Sequence, residues 1–131
     1  MYYLGIDLGG MSIKAGICND EGKIIHKDTC VTVRNQGGDK ILDDMAELCL
    51  KVIKDSGLTV DDIEYAGIAS PGSADQEKGE IIYASSLPFL NYPIAKKLTE
   101  KTGIKKIYIE NDANAAAKGE ATFGAAKGCK D

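Results

Sequence analysis

The chain has 131 residues, 44% of them apolar in the broad AVILMFWYC sense and 27% charged, a composition that supports a packed core and excludes a disordered tail. At about 150 residues per domain there is room for one compact domain and not for two. Sixteen Lys and Arg stand against 20 Asp and Glu, a net charge of -4, which gives no electropositive surface for a polyanion and argues against a nucleic-acid partner.

Tyr2 to Leu8 is short, apolar and punctuated by glycine. From Ile13 to Cys18 the residues Ile13, Ala15 and Ile17 alternate with Lys14, Gly16 and Cys18, the period of two that marks a strand. Gly9-Gly10-Met11-Ser12 links the two. A third strand over Lys23 to Val33 follows Asn19-Asp20-Glu21-Gly22, whose residues tolerate the left-handed conformations of a hairpin turn. The period then changes: Ile41, Leu42, Met45, Leu48, Cys49, Val52 and Ile53 recur at helical spacing, opposite Asp43, Asp44, Glu47, Lys51 and Lys54. Asp39 is the expected N-cap and Gly57 the residue just past the helix.

Ile63 to Ala69 reads as a fourth, mostly buried strand running into Ser70-Pro71-Gly72. Gln76-Glu77-Lys78-Gly79 reads as the turn of a small surface hairpin returning through Ile81, Ile82 and Tyr83. Pro93 suits the first position of a helix that ends before Gly103. Ile104 to Ile109 forms a fifth strand, and Glu110-Asn111-Asp112 opens an alanine-rich helix reaching about Phe123. This order combines an antiparallel meander with crossover units and implies an α/β domain, a mixed five-stranded sheet flanked by helices. The small residues from Gly124 to Asp131 read as a cut at a domain boundary.

Cysteines at 18, 30, 49 and 129 form no CxxC pair, and the lone His26 offers no partner for a zinc site, so reduced thiols and no structural metal are expected. The opening MYYLGIDLGG is not a secretory leader, and no apolar run approaches the eighteen or so residues of a membrane span, which predicts a cytoplasmic protein with no membrane partner.

Fifteen glycines exceed the nine or so that an average usage of about 7% would supply, and such an excess marks tight turns and close backbone approach to a ligand. Three loops follow the C-terminal ends of expected strands, the edge at which open α/β sheets collect ligands. In Asp7-Leu8-Gly9-Gly10 the glycines would bring backbone N–H groups close to an anion, and the carboxylate before them could hold a hydrated Mg²⁺ near bound phosphates; a plain hairpin turn has about even odds. A strand follows these glycines, so neither a dinucleotide fingerprint nor a P-loop is present, since both need a helix there. Ser70-Pro71-Gly72 is a turn of defined shape and by itself carries little. Asn111-Asp112 is an ordinary helix cap by type. An Asp in the first helical turn also feels the positive end of the helix dipole and stays ionised, which suits a carboxylate that orients a hydroxyl and accepts its proton late.

Taken together and in order, Asp7-Leu8-Gly9-Gly10, Ala69-Ser70-Pro71-Gly72, Ser85-Ser86-Leu87-Pro88 and Glu110-Asn111-Asp112-Ala113-Asn114-Ala115-Ala116-Ala117-Lys118-Gly119-Glu120 resemble the N-terminal half of the ROK (repressor, open reading frame, kinase) sugar kinases. These belong to the actin-like ATPase group of the ribonuclease H-like superfamily. The resemblance runs from Gly5 to about Gly124. It implies a glucokinase-like, ATP-dependent phosphorylation of a hexose in a cleft between two lobes. Residues 1–131 would then be the N-terminal lobe, with the C-terminal lobe absent from this chain. Carried over, Asp112 is the catalytic base; Asn111, Gly72 and Ser86 line the sugar site; Asp7, Gly9, Gly10 and Ser12 face ATP phosphates and Mg²⁺. Lys14 either adds positive charge there or is a solvated strand lysine. Zinc would belong only to the missing lobe, with its Cys/His motif, and the full-length protein would be a homodimer.

The chain departs from the family pattern at Met11, where Thr is usual, and at Ser86, where Asn is usual. Two other readings share the fold: a sugar-sensing regulator, and a noncatalytic nucleotide- or sugar-binding module. A regulator would carry a DNA-binding domain ahead of the lobe, whereas here the meander begins at residue 2.

Overall fold

A computed structural model of the chain describes residues 2–70, 73–75, 79–83 and 90–111. The meander is present as β1 (Tyr2–Leu8), β2 (Ser12–Asn19) and β3 (Ile24–Val31), followed by the helix α1 (Gly38–Asp55). Strand β4 (Ile63–Ser70), two short strands β5 (Ser73–Asp75) and β6 (Glu80–Tyr83), β7 (Leu90–Tyr92), the helix α2 (Ile94–Thr102) and β8 (Ile107–Asn111) complete the described elements. The large sheet has the order β3-β2-β1-β4-β8. Strands β1 and β2, and β2 and β3, pair antiparallel, whereas β4 runs parallel to both β1 and β8. This is the mixed five-stranded sheet expected. The small hairpin expected here is present as the antiparallel pair β5–β6, and β7 extends it to a second, three-stranded sheet in the order β5-β6-β7.

Alternation decides which face is buried. Leu4, Ile6 and Leu8 of β1 pair in register with Ile17, Ala15 and Ile13 of β2, and all six are buried with Ala66 and Ile68 of β4 and Ile109 of β8. Onto this face α1 lays Ile41, Leu42, Met45, Cys49, Val52 and Ile53, and α2 adds Ile94 and Leu98. Burial, with a smaller contribution from the nearby Cys30, pushes the Cys49 thiol up to about 12, so it acts as a small apolar residue. Ile68, fully buried on a central strand, is the test of this core: Ile68→Ala is expected to cost about 2–5 kcal/mol, measured by urea unfolding, and a loss below about 1 kcal/mol would contradict the packing described.

Several local expectations are corrected. Asp39 does not cap α1; Gly37 does, with φ of 90° and no side-chain cap bond. The Asp39 carboxylate instead accepts the Tyr92 hydroxyl at 2.6 Å and lies 3.8 Å from the Lys97 ammonium. The Tyr92 hydroxyl bond and the nearby Lys97 charge hold it below the usual carboxylate range. The cross-link ties β7 and α2 to the start of α1. Pro93 precedes α2 as its N-cap and is not its first helical residue. The fifth strand starts three residues later than read and runs through Asn111. Cys18 is disulfide-bonded, so reduced thiols do not hold for it, because separation along the chain does not reveal which sulfurs meet; Cys30 and Cys49 are free. Gly57 and Gly103 do end α1 and α2 at positive φ, 78° and 84°, where a side chain would be strained.

Candidate functional site

The parallel register puts the expected site residues at one edge of the sheet. Asp7 of β1 pairs with Ala69 of β4, and Ala69 pairs with Glu110 of β8. Ser70 then pairs with Asn111 at the last rung. With neighbouring strands about 4.8 Å apart, the end of β8 lies about 10 Å from the end of β1. The chain leaves β4 after Ser70 toward Pro71-Gly72, and leaves β8 after Asn111 toward Asp112, both from the edge at which the β1–β2 turn sits. Gly72, Ser86, Asp112 and the alanine-rich helix lie outside the described residues.

The turn itself is well defined. The Gly9 N–H donates to the Ser12 carbonyl at 3.0 Å, closing a tight bend between β1 and β2. A Cβ on Gly9 would stand 2.9 Å from that same carbonyl oxygen, so it is close approach, not a positive φ, that demands glycine here. The N–H groups of Gly10 and Met11 donate to nothing among the described residues. Met11 is 82% exposed at the tip. Consecutive open backbone donors in a turn form a concavity suited to anionic oxygens.

Charge flanks the turn. Asp7 and Lys14 are direct partners in the β1–β2 ladder, so both side chains stand on the sheet face opposite the α1 core. Asp7 is half-buried and Lys14 exposed. Among the described residues no group of three or more His, Cys, Asp or Glu side chains could cage a metal. One carboxylate beside open backbone donors fits Mg²⁺, which keeps several waters and is commonly bound by one or two carboxylates together with substrate phosphates.

One residue at this edge was not read from the sequence. Thr32, just past β3, is 6% exposed. Its hydroxyl donates to the Gly9 carbonyl at 2.9 Å, and its backbone N–H donates to the Met11 carbonyl at 3.0 Å. Nothing in the local pattern of Cys30-Val31-Thr32 marks it, because its partners come from the other end of the meander.

A mixed sheet with helices packed on one face, a glycine bend at its first hairpin and two further strand ends beside that bend give a lobe of the actin-like ATPase fold. The family model described as ROK family matches residues 3–131, and the chain belongs to that family. The glucokinase of Thermotoga maritima is 37% identical over 126 residues, 95% of this chain and 38% of that protein. A ROK family glucokinase from Streptomyces griseus, solved in complex with glucose and AMPPNP, superposes with a TM-score of 0.78 at 29% identity, over 95% of this chain and 37% of that one. A xylose repressor of Caldicellulosiruptor bescii is 31% identical over 121 residues, 92% of this chain and 30% of the repressor. The chain thus spans well under half the length of these relatives. No helix among the described residues is long and apolar enough to cross a membrane.

Proposed function

We propose that this chain is the N-terminal lobe of an ATP-dependent hexose kinase, with glucose the leading substrate, and that the reaction takes place where the β1–β2 turn faces the segments leaving β4 and β8. The observation that carries this reading is the shared register of Asp7, Ala69 and Glu110, which brings the C-terminal ends of β4 and β8 to the sheet edge that carries the glycine bend. It gains support from the Streptomyces griseus relative, whose structure contains both glucose and AMPPNP.

In this reading the Gly10 and Met11 N–H groups, with Ser12, receive phosphate oxygens. Asp7 would hold Mg²⁺ through water, and Lys14, its partner across the ladder on β2, adds positive charge. Bound Mg²⁺ would supply neutralisation of the charge on the β- and γ-phosphates. Asn111, Gly72 and Ser86 orient the sugar. Asp112 accepts the proton of the attacking hydroxyl as its oxygen bonds to the γ-phosphorus and the bond from phosphorus to the bridging oxygen breaks, releasing ADP. A loose phosphoryl-transfer transition state asks mainly for positioning, so one carboxylate base and backbone donors suffice on this side of the cleft. The second lobe would complete both sites, and we place the protein in the cytoplasm as a homodimer.

The repressor relative keeps a second reading open, a sugar-responsive regulator on the same lobe. A coupled assay of the full-length protein with Mg·ATP and glucose separates the two. Turnover within the ordinary range of about 1–100 per second for kinases supports the first. Sugar binding by calorimetry without any phosphoryl transfer to a panel of hexoses would overturn it in favour of the regulator.

A further inference from the structure

We propose that Thr32 is a positioning residue for the phosphate-binding turn, fixing the peptide plane between Gly9 and Gly10 so that the Gly10 N–H is presented to an anionic oxygen. The inference rests on the reading of that turn as the ATP phosphate site.

The argument starts from the planarity of the peptide. In a trans unit the carbonyl and the N–H point to opposite sides, and no cis peptide occurs among the described residues. The Gly9 carbonyl and the Gly10 N–H belong to one such unit. Anchoring the carbonyl on the Thr32 hydroxyl at 2.9 Å therefore aims the Gly10 N–H away from Thr32. The second bond, from the Thr32 N–H to the Met11 carbonyl at 3.0 Å, holds the far side of the bend. The third, from the Gly9 N–H to the Ser12 carbonyl at 3.0 Å, closes it from within. A bend with two glycines has many accessible conformations when free. Three bonds select one, and two of them come from Thr32.

Burial makes the anchor firm. At 6% exposure the Thr32 hydroxyl has little water to turn to, and a buried hydroxyl that loses its partner is destabilised. Its bond to Gly9 spans 23 positions of sequence, so the shape of the turn depends on β3 being docked on β2. Val31, 72% exposed beside it, pairs with Ser12 through the backbone, but its side chain carries no donor for the bend. The contribution belongs to the hydroxyl of residue 32 and not to the strand end in general.

The test uses the full-length protein with Thr32→Val, which keeps the shape and removes the donor, and Thr32→Ser, which keeps the donor. Thr32→Val is expected to weaken Mg·ATP binding about five- to tenfold, the loss of one hydrogen bond, and to speed amide exchange at Gly9 relative to the β1 ladder, with hexose affinity unchanged. Thr32→Ser should restore both to within about twofold. Unaltered Mg·ATP affinity in Thr32→Val overturns the proposal. So does a parallel loss of ATP and hexose affinity that follows a drop in Tm, or a Thr32→Ser protein as impaired as Thr32→Val. Wild-type protein that binds Mg·ATP but phosphorylates no hexose would sink the kinase reading alone, the Thr32 comparison being decided by affinity and exchange. Wild-type protein that binds no Mg·ATP would sink both.

Discussion

Replacing Asp112 by Ala in the full-length protein is expected to lower kcat for hexose phosphorylation by at least about a hundredfold, the lower end of what general-base groups contribute. Asp112 follows β8 (Ile107–Asn111) directly in sequence, and the last rung of that strand pairs Asn111 with Ser70, two strands from the glycine bend. In the proposed reaction the Asp112 carboxylate would have two tasks: to orient the sugar hydroxyl toward phosphorus and to take its proton late in the transfer. Removing it should therefore reduce kcat while leaving KM for ATP near its wild-type value, since the proposal assigns the phosphates to other residues. Asp112→Asn, which can still hydrogen-bond but cannot accept the proton, should be nearly as slow. Near-normal turnover in either variant would remove the assignment. A large rise in KM for ATP with kcat preserved would move Asp112 from catalysis to nucleotide binding.

The second large effect is expected at Gly9. The added methyl of Gly9→Ala would lie 2.9 Å from the Ser12 carbonyl oxygen, and that atom is backbone, already engaged by the Gly9 N–H. Neither side can yield without opening the bend. Overpacking of this kind costs about 1–3 kcal/mol. If the cost falls on the phosphate site it corresponds to a loss of about five- to a hundredfold in Mg·ATP affinity. Gly16 is the internal control. It lies on the β1–β2 ladder opposite Gly5, and a Cβ there would meet the Lys27 Cβ at an ordinary 3.5 Å, so Gly16→Ala should bind Mg·ATP like the wild type. Calorimetry on the two variants decides the matter: equal affinities would show that the bend is not where nucleotide phosphates bind.

The two expectations concern residues whose legibility in the sequence differed. The glycine pair was visible as a glycine pair between a short apolar segment and a period-two one, and the fold places it in a tight bend of the first hairpin. What was not visible was the reason for Gly9, because the clash with Ser12 depends on the conformation of the bend and not on residue type. Asp39 shows the opposite failure. Its position before an apolar helical stripe has every local mark of an N-cap, yet the helix starts at Gly38 and the carboxylate is claimed by Tyr92, 53 positions away. A tertiary partner outweighed a capping preference worth about 1 kcal/mol. The short strand β7 was missed for a related reason: three residues are too few to display a period, and their pairing with β6 exists only once both are folded.

Hydrophobic spacing is a property of neighbours along the chain, and it was enough to establish the three-strand meander, the apolar stripe of α1 and the glycine stops at Gly57 and Gly103. The order β3-β2-β1-β4-β8, the rung that aligns Asp7 with Ala69 and Glu110, and the grip of Thr32 on the glycine bend belong to the folded molecule alone. The pairings of β1 with β4 and β4 with β8, and the Thr32–Gly9 bond, each join residues more than twenty positions apart, and it is the burial of the common core, which no single segment can achieve by itself, that brings them into register.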